Sequence, residues 1–216
     1  MTDYTLTLKK LTKKFGRRVI FRDIDYTFSG AGIFGIAGAN GSGKSTLVKT
    51  IAGLQSPTSG SVTHTYGGKT VEMYDLHNAI GFLAPYLNMY EEFTAEENIV
   101  HICGIRGVPY DKEYVNSLFD FFSLADRKGD ILKTYSSGMK QRMKFIFALA
   151  HKPGLLILDE PTSNLDVEGK EKVYALVRKT AATTNVIIAS NEETDLALCS
   201  STLSILDYKP VPKKKP

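Results

Sequence analysis

Gly38-Ala39-Asn40-Gly41-Ser42-Gly43-Lys44-Ser45 is the stretch on which the reading of this chain turns. Its spacing, G-x-x-x-x-G-K-[ST], is that of a loop whose backbone N–H groups cradle phosphate. The apolar run Ile33-Phe34-Gly35-Ile36-Ala37 leads in as a buried strand, and Leu47, Ile51 and Leu54 recur behind it as one face of a helix. Strand, loop and helix are the context the spacing needs, because the loop N–H groups and the helix N-terminus together favour an anion. In that arrangement Lys44 reaches the β and γ phosphates and Ser45 ligands Mg²⁺. Without its flanks the same stretch is an ordinary glycine-rich turn.

A chain of 216 residues suffices for one domain with a sizeable core. Charged residues make up 23% and hydrophobic ones 43%, an ordinary globular balance. The net charge of +4 identifies no partner, since much of it lies in the basic, proline-rich segment 209–216, read as a frayed terminus. Such a segment can touch anionic lipid or nucleic acid, but solvated disorder is the plainer reading. Cys103 and Cys199 lack metal-ligand spacing and read as core residues of a reducing compartment. The four histidines form no cluster, which argues against a histidine metal site. The first residues show no charged-then-apolar leader, and no apolar run has the length of a bilayer span.

Upstream of the loop, Thr5 to Leu8 alternates as a strand, Thr12 to Gly16 reads as a turn, and Arg18 to Phe28 pairs back. Phe15 is an aromatic in that polar turn, either incidental or placed to stack on a purine. Downstream, Pro57 to Gly60 breaks the chain. Val62 to Tyr66 and Lys69 to Met73 then flank Gly67-Gly68 as a hairpin. Antiparallel pieces beside a phosphate loop imply a mixed sheet.

After the short strand Ile80 to Leu83 the pattern turns helical, from about 86 to 153. Thr94 and Glu97 form a capping box. Val115, Leu118, Phe119 and Phe122 mark one apolar face, and Met139, Met143, Ile146, Phe147 and Ala150 another. Lys140, Arg142 and Lys144 fall off that face and read as a solvated edge. Leu155-Leu156-Ile157-Leu158 then runs into Asp159-Glu160, a strand that delivers two acids at its C-terminal edge, where α/β ligands bind. A helix through Val173, Leu176 and Val177, a strand at Val186 to Ala189 and a last strand at Leu203 to Leu206 complete the chain. The fold class is α/β: a P-loop core, a mixed sheet with an antiparallel part, and an inserted helical lobe.

With these motifs in order, the chain resembles the ATP-binding cassette family, the nucleotide-binding subunits of ABC transporters, over nearly its whole length. Gly38 to Ser45 match Walker A, and Leu155 to Asp159 match Walker B, with Glu160 at the family's catalytic carboxylate. Tyr135-Ser136-Ser137-Gly138-Met139 is similar to the LSGGQ signature, and Ser163-Asn164-Leu165-Asp166 to the D-loop. Ser-Ser-Gly alone is only a helix cap.

The resemblance implies a single nucleotide-binding domain over 1–208 that binds and hydrolyses ATP with Mg²⁺. Its nucleotide contacts would be Phe15 on adenine, Gly38, Ala39, Asn40, Gly41, Ser42, Gly43, Lys44, Ser45 and Thr46 on phosphate, and Ser136, Gly138, Asp159 and Asp166. Ser45 and Asp159 would hold the metal, and Glu160 would act on the attacking water. It also implies a head-to-tail dimer around two ATPs, a membrane permease on another chain, and a cytoplasmic position on the membrane face, with no nucleic acid. A soluble relative working on ribosome or DNA is the competing reading; the second cassette or coiled-coil insert of such relatives is missing. Two positions depart from the family. Pro85 stands where a glutamine senses Mg²⁺ and water, so that role is absent or moves to Asn88. Asn191 stands where a histidine is usual, either as a neutral donor to the γ-phosphate or as a helix cap. Both replacements imply slow hydrolysis.

Overall fold

A computed structural model describes residues 4–163 and 165–210; residues 1–3, Asn164 and 211–216 lie outside the described residues. Two sheets form, and they divide the strands by type. Strands β1 (Tyr4–Phe15), β2 (Arg18–Ser29), β4 (Ser59–Tyr66) and β5 (Lys69–Thr70) make an antiparallel sheet in the order β2-β1-β4-β5. Strands β3 (Ile33–Ala37), β6 (Ile80–Leu83), β7 (Leu155–Asp159), β8 (Asn185–Ser190) and β9 (Ser201–Ser204) make a parallel one, β6-β7-β8-β3-β9. The α/β class with an antiparallel part therefore holds, with the two kinds of strand in separate sheets.

The apolar runs of the parallel strands follow from burial on both faces. In β7, Leu155 and Ile157 face a core shared with β1, β2 and helix α1 (Lys44–Ile51). Leu156 and Leu158 face a second core. This second core is built with helices α3 (Ala95–Arg106), α4 (Lys112–Phe121), α5 (Ser137–Leu149) and α6 (Val167–Ala181). The short helices α2 (Leu76–Ala79) and α7 (Glu193–Leu196) complete the order. Each leucine fully buried this way contributes about 1.5–3 kcal/mol relative to exposure. α3 starts at the expected capping box: Thr94 Oγ1 accepts from Glu97 N at 3.1 Å, and Glu97 Oε2 accepts from Thr94 N at 2.8 Å.

Several expectations from local sequence change. β1 continues through Thr12, Lys13 and Lys14 to Phe15, by way of register shifts, and the turn is confined to Gly16-Arg17. The polar residues there mark a bulged, solvent-facing strand. Ser59 and Gly60 belong to β4; a Cβ on Gly60 (φ +81°) would lie 2.2 Å from Lys10 O, so the bulge in β1 needs glycine opposite it. Leu54 falls beyond the end of α1 and is exposed. β5 is only two residues long, and the last strand ends at Ser204, giving way to a 3-10 turn at Ile205–Tyr208. The basic edge of α5 is bonded, not merely solvated. Lys140 pairs with Glu91 at 2.5 Å, Arg142 donates to Phe122 O at 2.7 Å, and Lys144 donates to Pro85 O at 2.8 Å. Cys103 is buried as expected, whereas Cys199 is only half-buried.

What positions the site is the parallel register. Ala37 pairs with Ser190, Asp159 with Ala189, and Leu83 with Leu158. The phosphate loop, the Asp159-Glu160 pair, the Ser190-Asn191 step and the Ala84-Pro85-Tyr86 segment therefore leave the sheet at one edge.

Candidate functional site

α1 opens without the usual cap. Its N-cap is Gly43, in the left-handed region at φ +110°, with no side-chain cap bond and no acid in the first turn. Among the described helices of eight residues or more, only α1 and α5 lack a first-turn acid. Elsewhere a carboxylate satisfies the positive helix end. Here that end is left for an anion from outside. A Cβ on Gly43 would lie 2.5 Å from Ile20 Cγ2, and one on Gly38 2.5 Å from Ser42 Oγ, so side chains at either position would collapse the loop. Ala39, Asn40 and Gly41 are exposed at its tip.

Lys44 is buried at the base of the loop. Its Nζ donates to Gly38 O at 2.8 Å and forms an ion pair with Glu160 Oε1 at 3.1 Å. Thr46, in the first turn of α1, accepts from Thr50 Oγ1 through its carbonyl. Asp159 is fully buried, and neither carboxylate oxygen has a hydrogen-bond partner among the described residues. Burial pushes its pKa up, with the Glu160 charge adding to the effect. The Ser45 hydroxyl, lying beside it outside hydrogen-bonding geometry, acts the other way together with Lys44 and Lys49. An orphaned buried carboxylate next to a hydroxyl is a donor set that fits a hard divalent cation. Glu160 follows with a left-handed backbone (φ 51°), held by its N–H to Ala189 O at 2.8 Å, and this turns its side chain back toward Lys44.

The signature and D-loop residues meet elsewhere. Ser136 caps α5, its Oγ accepting from Met139 N at 3.2 Å, and Asp166 caps α6, accepting from Gly169 N at 2.8 Å. Ser136, Gly138 and Asp166 line one cavity of about 350 Å³ with Arg142, Glu168 and Lys172. No residue of the phosphate loop lines it. Within one chain the expected nucleotide contacts thus fall into two separate groups. Phe15 stands half-exposed at the β1–β2 turn, with Lys13 Nζ 5.0 Å from its ring centroid.

At the two departures the structure is specific. Asn88 is exposed and lines a surface cleft with Lys140 and Lys144. Tyr86, rather than Asn88, comes within the field of Asp159: partial burial and that charge raise its pKa, and Lys49 Nζ lies 3.8 Å over its ring, although 43% of the residue stays exposed. Nothing local in the sequence marks Tyr86, because its partner Lys49 lies on α1. Asn191 is exposed and is not the cap of α7; that position is Glu192, and Ser190 Oγ accepts its N–H at 3.1 Å. Lys209, expected in a frayed segment, is half-buried and donates to Ile20 O at 2.7 Å.

A family model described as ABC transporter matches residues 21–163. Linearmycin resistance ATP-binding protein LnrL of Bacillus subtilis is 30% identical over 207 residues, covering 94% of this chain and 66% of that protein. An uncharacterised ABC transporter ATP-binding protein of the same organism, YhaQ, is 32% identical, with 97% and 71% covered. The chain spans 54 to 66% of the length of the first four curated relatives it matches. Among solved structures, a putative ABC transporter ATP-binding protein from Pyrococcus furiosus superposes with a TM-score of 0.81 at 23% identity. It covers 95% of this chain and 100% of its own, a likeness of fold.

Proposed function

The chain belongs to the ABC transporter family, and on that premise we propose that it is an ATP-binding and ATP-hydrolysing cassette that powers a membrane permease carried on another chain. One observation carries the reading: an uncapped, acid-free helix N-terminus bears Lys44 directly against Asp159-Glu160 at the edge of the parallel sheet. Residues 1–208 act as one nucleotide-binding unit, with the helices of about 86–153 as its lobe.

In this reading the loop from Gly38 to Ser45 takes the phosphates of ATP on its N–H groups, Thr46 extends that contact, and Lys44 turns from Glu160 to the β and γ oxygens. Ser45 and Asp159 hold Mg²⁺, which when bound supplies positive charge to the transferring phosphoryl group. Glu160, freed from Lys44, accepts a proton from the attacking water or orients it. Phe15 stacks on adenine. Ser136 and Gly138 offer a hydroxyl and N–H groups to the γ-phosphate held by a second copy, with Asp166 beside them; the separation of the two groups within one chain supports a head-to-tail dimer. The subunit then works peripherally on the cytoplasmic membrane face, without nucleic acid, and hydrolyses slowly because Pro85 and Asn191 replace a glutamine and a histidine.

Titration calorimetry tests the core of this. Lys44→Ala should abolish detectable Mg·ATP binding while the melting temperature holds, because the loop backbone persists without its cation. Undiminished affinity in that variant would remove the proposal.

A further inference from the structure

The last described turn of the chain underlies the phosphate loop. Ile205 is fully buried, and Cβ atoms added to Gly38 and Gly43 would lie 2.6 Å from its Cγ2 and 3.4 Å from its Cδ1. Four residues on, Lys209 Nζ sits 3.8 Å from the position a Cβ on Gly43 would take. It is held there by donating to Ile20 O at 2.7 Å, its one hydrogen bond among the described residues. An ammonium carries three donors, so two remain for another acceptor.

The electrostatic setting is unbalanced. Lys209 forms no ion pair among the described residues. It stands beside the positive end of α1, which has no first-turn acid to offset it. Burial and the nearby Arg18 charge both lower its pKa, as for a cation without a counter-charge. An anion at Gly43 relieves all of these at once.

We propose that Lys209 is a second phosphate-binding lysine of this site, contacting the α-phosphate of the bound nucleotide. The inference rests on the reading of the loop as an ATP site. The position along the nucleotide follows from the tether. Lys209 hangs from Ile20 in β2, just after the turn that carries Phe15, whereas Lys44 lies against Glu160. With adenine on Phe15 and the β and γ phosphates at Lys44, ribose and α-phosphate occupy the span between. A charge-assisted hydrogen bond at such a place is worth about tenfold in affinity.

Calorimetry with ATP and with ADP, on wild type, Lys209→Gln and Lys209→Arg, tests this. Lys209→Gln should weaken ATP and ADP by the same factor, about tenfold, and Lys209→Arg should restore most of it at an unchanged melting temperature. Equal affinities in wild type and Lys209→Gln would overturn the proposal. So would a loss for ATP alone, which would put the ammonium on the γ-phosphate. A lowered melting temperature with affinity lost in both variants would make Lys209 a tether for β2. If wild type itself binds neither nucleotide, the reading of the loop fails first and this proposal with it.

Discussion

Lys44 Nζ and Glu160 Oε1 are 3.1 Å apart, so the cation proposed for phosphate is held by the carboxylate proposed for water. The two roles exclude each other, because the three hydrogens of Lys44 are already taken by Gly38 O, Ala39 O and Glu160. Nucleotide binding must open this ion pair, and the apparent affinity is reduced by the fraction of molecules in which it is closed. Glu160→Gln keeps the volume and removes the charge. It should tighten ATP binding roughly fivefold, in line with about 1 kcal/mol for a partly exposed pair, while turnover falls by about a hundredfold or more. Calorimetry and a steady-state ATPase assay read the two effects; weaker ATP binding in the variant would contradict the competition.

The same Glu160→Gln background tests assembly. With ATP trapped, light scattering should show a dimer, and adding Ser136→Arg should prevent it, since bulk and charge at the α5 cap block the second nucleotide. A Ser136→Arg double variant that dimerises like its parent would reduce the signature to a helix cap.

Tyr86 offers a third test. Partial burial and the Asp159 charge raise the pKa of its phenol, which keeps the hydroxyl as a donor at neutral pH. Its ring lies under Lys49, so Tyr86→Phe preserves the packing and deletes only the donor. Maximal ATPase rate should drop severalfold with ATP affinity within twofold, because the tyrosine stands in the field of Asp159. An unchanged rate would leave Tyr86 as a platform for Lys49 alone.

These residues divide by how legible they were. Gly38 to Ser45 and Leu155 to Glu160 stood out because the loop, the lysine and the acids are local in sequence, and two-sided burial writes an unbroken apolar run. The structure does bring Lys44, Ser45, Asp159 and Glu160 together. Tyr86 and Lys209 were missed because nothing local marks them: one reaches Lys49 across the sheet edge, and the other meets Ile20 across 189 residues. The strand end at Thr12 to Phe15 was misread for a different reason. Polar residues on a bulged, exposed strand look like a turn when hydrophobic alternation is the only guide.

Asn191 tests whether the missing histidine limits the rate. It is exposed and caps nothing, so exchanging it should leave stability untouched. An amide can donate to the γ-phosphate but cannot carry the charge of an imidazolium. One charge-stabilising contact at a transition state is worth about 2.7–4 kcal/mol, and a neutral donor recovers only part of it. Asn191→His should raise the maximal ATPase rate severalfold, with little change in ATP affinity or melting temperature. No gain in rate would show that this position does not face the nucleotide.

The last prediction concerns acid and the anchoring of α1. His64 is buried in β4, with Nε2 2.9 Å from Ile51 O at the end of α1 and Nδ1 2.9 Å from Tyr4 Oη. Because a carbonyl only accepts, Nε2 carries the proton and Nδ1 accepts from the tyrosine. Burial lowers its pKa from 6.5 to about 4. The unfolded chain therefore binds the extra proton first. The stability due to neutral His64 is complete above pH 6.5, drains away as pH falls from there to about 4, and levels off below. The shift corresponds to about 3 kcal/mol over that window. His151, its pKa also lowered to about 4 by burial, contributes in the same direction. Denaturant unfolding at pH 7.5, 6, 5 and 4.5 should show wild type losing stability steeply. His64→Gln should be weaker at pH 7.5 yet lose about half as much on acidification, since His151 remains. Identical pH slopes in the two proteins would mean that His64 does not hold the phosphate-loop helix through its neutral form.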